Sequence, residues 1–390
     1  MVSYPHYLKK MNNMKVHIAL VGGQPMPVYI GILAVKPELV WLIHSKNSKE
    51  EASVIAKQCG VESEKLELPA VDYPVILEKA KKLLESLDEK EIIINISSGT
   101  KPWAVAFALL SVNMPNVSLV YVDQNNKTYD ITNKRFLPFN LQMDINTILL
   151  YNHSYVQKHI NLNKYTNEDK LVLDKVRNLR DFNIKDFNEL TIPLEKAKQN
   201  ALKQNTNFFS TVQSTGSSIV YDKKVNQVEI ILNKRNSLVE KAETLASPHV
   251  KDIVFIARWF EYMVADMISS WQYQTEIWLN VTFPYQNGTP KNEIDIIVNA
   301  RNKLLFVECK TQIFDITDID KFRSAVKNYG GMSSKALFIS YTREMKPEAI
   351  QKCKDNGIMT FCMGAGNSDK QRKEMLFALL EKEMLNINKR

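Results

Sequence analysis

The run Phe306-Val307-Glu308-Cys309-Lys310 sets a carboxylate and an ammonium two residues apart inside an apolar stretch. In an extended strand successive side chains alternate, so Phe306, Glu308 and Lys310 share one face and Val307 and Cys309 the other. Upstream, Asn292-Glu293-Ile294-Asp295-Ile296-Ile297-Val298 places Asp295 in a second such stretch, and a hairpin between the two brings Asp295 close to Glu308. Two neighbouring carboxylates with open coordination positions suit Mg²⁺ or Mn²⁺ held through oxygen, with room left for water and a phosphate. The ion would acidify its water and neutralise charge building on the phosphate. Lys310 would orient that water or stabilise the developing negative charge. Carboxylates left unpaired in an apolar strand are costly unless a cation accompanies them. The competing reading is an exposed edge strand with a cross-strand ion pair. Glu261, beside Trp259 and Phe260 on a helical stretch, is either a third acidic member or part of an exposed helix face. Glu293 shares a face with Asp295 and ranks behind it.

A second constellation lies near the start. Ile94-Asn95-Ile96-Ser97-Ser98-Gly99-Thr100-Lys101-Pro102 runs off a buried strand into a helix. Glycine permits the tight turn, backbone N–H groups at the helix start attract phosphate, and Ser, Thr and Lys add donors. Pro102 fits the first helical turn. Gly22-Gly23-Gln24-Pro25-Met26-Pro27 follows the first strand, so both loops fall at the carboxyl end of the sheet, where such folds bind ligands. Taken singly, each loop reads as a capping turn. Neither is a dinucleotide or Walker A fingerprint, since the glycine spacing is missing.

The elements around these residues fall into two patterned regions. Val16–Val21, Leu39–Ile43, Glu91–Ile96 and Val117–Val122 read as buried strands, with helices over Val28–Val35, Lys49–Cys59, Tyr73–Leu87 and from Pro102. Near-continuous β-branched runs separated by helices signal a parallel, doubly wound sheet. From Pro248 the pattern gives a long helix over Val250–Trp271, then strands over Ile277–Phe283, Glu293–Val298 and Lys303–Lys310. A helix over Asp318–Tyr329, a strand over Ala336–Ser340, a helix over Pro347–Asp355 and a strand over Gly357–Cys362 follow. Between the regions, Tyr165–Leu179 and Ala197–Asn205 read as helices, Ser210–Ser218 as a loop, and Ser218–Tyr221 with Val225–Leu232 as a hairpin.

At 390 residues the chain exceeds what one core serves. Residues 1–150 carry 16 Lys+Arg against 15 Asp+Glu, whereas the remainder carries 35 against 28, so almost all of the +8 net charge lies in the later part. That excess suits a polyanionic partner or a solvated lysine-rich surface. Cys59, Cys309, Cys353 and Cys362 lack metal-ligand spacing and suggest no disulfide framework, which favours a reducing cytoplasm. No apolar stretch has the length of a signal peptide or a membrane span.

Glu261 on a helix, Asp295, then Glu308-Cys309-Lys310 before a helix resembles the PD-(D/E)xK restriction-endonuclease-like superfamily. The first position departs from its pattern, since Ile294 rather than proline precedes Asp295. The Gly22-Gly23 turn, the Ser97–Trp103 loop and the strand end Tyr121-Val122-Asp123-Gln124 together resemble CARF domains, the cyclic oligoadenylate sensors of type III CRISPR defence. A CARF domain joined to a PD-(D/E)xK domain is similar to the single-CARF, homodimeric CRISPR ancillary nucleases. The resemblance implies a Rossmann-like α/β sensor over 1–140, a connecting module over 141–247 and an α/β nuclease domain over 248–390. It implies catalysis by Asp295, Glu308, Lys310 and Glu261, with Asp295, Glu308 and Cys309 as the metal set. It implies a cyclic tetra-adenylate activator on the dimer axis, touched by Gly22, Gly23, Gln24, Pro25, Met26, Ser45, Ser97, Ser98, Gly99, Thr100 and Lys101. Substrates would be single-stranded DNA, RNA or supercoiled duplex DNA, cut with little sequence preference. Two rivals stand: a ligand-controlled DNA-binding regulator with a winged-helix reader over 150–245, and a nuclease whose N-terminal domain only dimerises.

Overall fold

The computed structural model describes residues 14–387 apart from 88–89, 139–141, 153, 193–199, 201, 203, 205, 235–237, 256–257, 286, 312–315, 332, 343 and 365–367. It divides into two compact units. The first comprises Met1–Tyr155, Asn302–Leu304 and Val326–Ser334; the second comprises Val156–Arg301, Leu305–Ala325 and Lys335–Arg390. Residues 141–247 are thus shared between the two units, 141–155 falling in the first.

In the first unit the sheet is built from β1 (Lys15–Leu20), β2 (Leu39–His44), β3 (Glu62–Glu67), β4 (Glu91–Asn95), β5 (Val117–Val122), β6 (Thr128–Asp130) and β7 (Arg135–Phe136). The order is β3-β2-β1-β4-β5-β6-β7, parallel through β5 and antiparallel beyond it. Helices α1 (Pro25–Val35), α2 (Lys49–Gln58), α3 (Tyr73–Ser86), α4 (Lys101–Ser111) and α5 (Ile145–Tyr151) complete it. Val16, Ile18 and Leu20 pack with Ile76, Ala80 and Phe107. Ile93 and Val120 pack with Val35 of α1, so both faces of the sheet are covered, as parallel strands require. The sequence reading did not include β3, whose Glu-Ser-Glu-Lys-Leu-Glu run is polar; it survives as an edge strand registered against β2, where one flank meets solvent. Within this unit Asn302 is bonded twice. Asn126 Nδ2 donates to its carbonyl at 3.1 Å, and the Met143 N–H donates to its side-chain oxygen at 2.8 Å.

The second unit holds a mixed sheet of β8 (Lys158–Asn161), β13 (Gln274–Pro284), β14 (Pro290–Ala300), β15 (Lys303–Lys310), β16 (Lys335–Ser340) and β17 (Ile358–Cys362), in the order β17-β16-β15-β14-β13-β8. β15, β16 and β17 are parallel, while β13 runs antiparallel to β14 and β8. A four-stranded antiparallel sheet, β9 (Phe208–Thr211), β10 (Ser218–Asp222), β11 (Gln227–Asn233) and β12 (Glu240–Ala246), lies in the same unit. The expected hairpin is β10–β11, and part of the expected loop is strand β9. The helices are α6 (Asn167–Phe182), α7 (Ile184–Thr191), α8 (Val250–Val254), α9 (Arg258–Ser269), α10 (Ile316–Gly330), α11 (Pro347–Asp355) and α12 (Asp369–Leu385). The described residues of 156–247 therefore include β8, α6, α7 and the antiparallel sheet. The helix expected over 197–205 lies largely outside the described residues.

The long helix expected over Val250–Trp271 is two helices. Phe255, with φ −98° and ψ 150°, ends α8 in extended geometry, and α9 starts afresh at Arg258 with Glu261 in its first turn. Among the described residues no helix is long and apolar enough to cross a membrane.

Candidate active site

Four of the predicted side chains come from three neighbouring elements of the second unit: Glu261 from α9, Asp295 from β14, and Glu308 and Lys310 from β15. All four are partly buried, because the strands that carry them are otherwise core: Ile294, Ile296, Phe306 and Val307 are at most 1% exposed. Asp295 Oδ2 accepts the Cys309 N–H at 2.7 Å, which fixes Asp295 against β15. Lys310 Nζ donates to Glu308 Oε1 at 2.7 Å, as the shared strand face allows. Asn280 Nδ2 donates to Glu261 Oε2 at 2.6 Å. Glu293 lies at the rim, 3.7 Å from Arg258, whose other nitrogen donates to Asp252 at 3.1 Å.

The carboxylates feel one another. Burial pushes Asp295 well above the usual carboxylate range, and the charges of Glu308 and Glu261 push it further. Burial raises Glu261 to about 7, against the pull of Arg258 and the Asn280 hydrogen bond, with Glu293 and Glu308 adding to the rise. Burial also raises Glu308, although Lys310 opposes it. For Lys310, burial favours the neutral amine, but the Glu308 carboxylate outweighs it and the ammonium is favoured.

The oxygen-rich donor set fits a small hard cation. Asp295 and Glu308 each use one oxygen on a protein donor, and a Mg²⁺ or Mn²⁺ site needs only one or two carboxylates beside water and phosphate oxygens. Among the described residues no three His, Cys, Asp or Glu side chains stand together as a complete ligand set, so protein ligands alone would not fill the shell. Cys309, placed by the sequence reading in the metal set, contributes its backbone N–H to Asp295. Its thiol lies in the buried cluster with Val307 and Ile339, and burial pushes it well above its ordinary range. An alternating strand sends a side chain away from the face its neighbours share, and here that face is the core. The sequence reading missed Asn280 entirely.

In the first unit the predicted loops meet. The Gly22 N–H donates to Ser98 Oγ at 3.1 Å, and a Cβ on Gly22 would stand 2.8 Å from the Gly99 nitrogen. Gly99 has φ +80°, and a Cβ there would stand 2.9 Å from Leu20 and Trp103, so glycine is required twice over. Beneath them Asn95 Oδ1 accepts from the Ser97 N–H and hydroxyl, Ser97 Oγ accepts from the Val122 N–H at 2.6 Å, and Asn95 Nδ2 donates to the Pro27 carbonyl. Thr100 caps α4, leaving Lys101 exposed at its first position. Gly23 and Gln24 are exposed, whereas Pro25 and Met26 are buried in the first turn of α1. Ser45 opens the turn after β2, and its partner Ser48 donates to the Val21 carbonyl at 2.7 Å. A cavity of about 470 Å³ beside Ser45 is bounded by Lys46, Glu67, Pro69, Asp72 and Lys79. Its far wall, the loop after β3, was not legible once β3 itself went unread. Trp103 Nε1 ties that loop to α4 through the Pro69 carbonyl at 2.7 Å.

Residues 16–165 match the family model of the Card1 CARF domain. The chain carries a CARF domain. Over 119 residues it is 27% identical to a CRISPR system endoribonuclease Csm6 from Thermus thermophilus, a match spanning 30% of this chain and only a quarter of that relative's length. The structure of Can2 from Sulfobacillus thermosulfidooxidans, in complex with cyclic tetra-adenylate, superposes with a TM-score of 0.65 at 18% identity, covering 95% of this chain and 99% of that one. A type III CRISPR defence DNA nuclease activated by cyclic oligoadenylate gives 0.51 at 15% identity, covering 90% of this chain and 49% of that one. At these identities the likeness is one of fold, and it extends beyond the CARF domain into the second α/β unit.

Proposed function

We propose that this chain is a metal-dependent nuclease switched on by cyclic tetra-adenylate bound at its CARF domain, acting in type III CRISPR defence. The reading is carried by a buried Asp295 that is held by the Cys309 N–H and feels the charges of Glu308 and Glu261, with Lys310 bonded to Glu308, on a chain that also carries a CARF domain. The fold shared with a cyclic-tetra-adenylate-bound Can2 supports the activator, and the fold shared with a type III CRISPR defence DNA nuclease supports a nuclease as the output.

In this reading Asp295 and Glu308 would hold Mg²⁺ or Mn²⁺ through the oxygens not bonded to Cys309 and Lys310. The bound ion supplies an acidified water and neutralises charge on the phosphate. Lys310, kept ammonium by Glu308, orients the attacking water and steadies negative charge on the phosphate oxygens. Glu261, raised towards neutrality, would serve as a proton acceptor at this position. The Cys309 N–H holds Asp295 in place, leaving its other oxygen for the ion. The sensor loops 22–27 and 97–101 of two copies would enclose the activator, and tighter binding to the active arrangement shifts the population towards it. The positive excess after residue 150 suits single-stranded DNA, RNA or supercoiled DNA as the polyanion cut.

The test is to incubate the purified full chain with labelled single-stranded DNA and RNA, with and without cyclic tetra-adenylate and Mn²⁺, beside Glu308→Ala. Cleavage needing activator and metal and lost in the variant supports the proposal. Cleavage indifferent to activator points to a nuclease whose CARF domain only dimerises. Activator binding with no cleavage of either polymer sinks the nuclease.

A further inference from the structure

Asn280 sits in the middle of β13, an eleven-residue strand, yet its backbone is left-handed at φ +50°. Its neighbours Leu279 and Val281 pair with Ile296 and Ile294, which puts Asn280 across the ladder from Asp295. On the other side the register with β8 shifts between Leu279 and Thr282, while the register with β14 is the same before and after Asn280. A left-handed residue that is not glycine costs about 1–2 kcal/mol, and asparagine bears it better than most. Such conformations persist only where the surroundings impose them, and they concentrate at functional sites.

The side chain is spent in an unusual way. It is 5% exposed, its Nδ2 is committed to Glu261 at 2.6 Å, and its Oδ1 is buried without a hydrogen bond from the protein. A buried carbonyl left unmade costs about 1–3 kcal/mol. Backbone strain and an unpartnered oxygen fall on one residue, and that residue touches an acidic member of the centre and lies across from another.

We infer that Asn280 is a positioning residue of the nuclease centre: its kinked backbone delivers the amide to Glu261, and its free oxygen receives the water or cation that the carboxylates gather. The inference rests on the nuclease reading. It predicts that the amide itself matters, and not merely a residue tolerant of the left-handed conformation.

Glycine separates these two roles, because it accepts φ +50° at no cost but brings no amide. Asn280→Gly and Asn280→Asp would be compared with wild type in the full chain. The measurements are melting temperature, Mn²⁺ binding by calorimetry, and cleavage with saturating cyclic tetra-adenylate. Asn280→Gly is expected to melt close to wild type, yet to bind Mn²⁺ or turn over about 10–100-fold more weakly, as loss of an outer partner of a metal centre does. Asn280→Asp, which keeps the shape but cannot donate to Glu261, is expected to fail similarly. Wild-type Mn²⁺ affinity and turnover in Asn280→Gly, or full rescue by Asn280→Asp, overturns the positioning role while the nuclease stands. A wild type that neither binds Mn²⁺ nor cuts removes both readings together.

Discussion

Neutralising Glu261 should stabilise the metal-free protein, and only above a definite pH. Burial raises this carboxyl from 4.5 to about 7, so the folded state holds a proton that the unfolded chain has released over that interval. The sign follows from linkage. The contribution is fully present below about pH 4.5 and is lost as the pH climbs through 7, because the native form is then forced to bury a charge among Glu293 and Glu308. At about 1.36 kcal/mol per unit, the shift corresponds to roughly 3 kcal/mol by pH 8. Glu261→Gln mimics the neutral acid and can still accept the Asn280 hydrogen bond. It should therefore match wild type near pH 4.5 and melt about 6–12 °C higher near pH 8, a scale set by roughly 2–4 °C per kcal/mol for a unit of this size.

The assay is a melting curve in EDTA across that pH range. Relief of Asp295, whose ionisation Glu261 also opposes, acts in the same direction and enlarges the gap. Saturating Mn²⁺ should close or reverse it, since the ion stabilises the form that binds it and the wild type binds it better. Parallel wild-type and variant curves from acid to alkaline pH would refute the claim that these carboxylates share one buried position.

Glu308→Ala should abolish activator-dependent cleavage, by at least about 100-fold in turnover, with cyclic tetra-adenylate still bound when titrated calorimetrically. Lys101→Ala, at an exposed position, should raise the activator concentration needed for half-maximal cleavage about tenfold and leave the melting temperature and Mn²⁺ affinity unchanged; a normal response to limiting activator would displace Lys101 from the sensing loop. Gly99→Ala introduces a side chain at φ +80° within 2.9 Å of Leu20 and Trp103, so it should cost about 1–3 kcal/mol and blunt the response to activator, checked by denaturant melts and activator titration.

What could be read in advance was chemistry set against its surroundings. Asp295, Glu308 and Lys310 stood out because charge inside β-branched runs needs a reason, and the alternation of a strand fixes which side chains share a face. Patterned apolar segments likewise gave β1, β2, β4 and β5 and the strands β13 to β16. Segments whose structure depends on a partner were illegible. β3 and β12 are polar runs held by register with β2 and β11, and α12 mixes charged and apolar residues without a clean stripe to announce it. The break between α8 and α9 likewise has no proline or glycine to mark it. Pro25 and Met26, which the CARF resemblance places against the activator, are buried in the first turn of α1.

Asn280 shows why type and spacing stop short of a site. In the sequence it is one asparagine in Trp-Leu-Asn-Val-Thr, a polar interruption that any strand tolerates. What sets it apart is a backbone torsion and a hydrogen bond to a residue 19 positions before it, neither of which a local window contains. The same holds for the turn that joins β14 to β15, where Arg301 and Asn302 are both left-handed. Read locally, it is a hairpin turn and nothing more. In the fold Asn302 is bonded by Asn126 and Met143 of the CARF-bearing unit, and it stands 7 residues from Asp295 and 6 from Glu308 along the chain. Arg301 falls in the second unit and Asn302 in the first. The bonds to Asn302 were invisible in the sequence for the same reason as Asn280, because they join residues more than 150 positions apart.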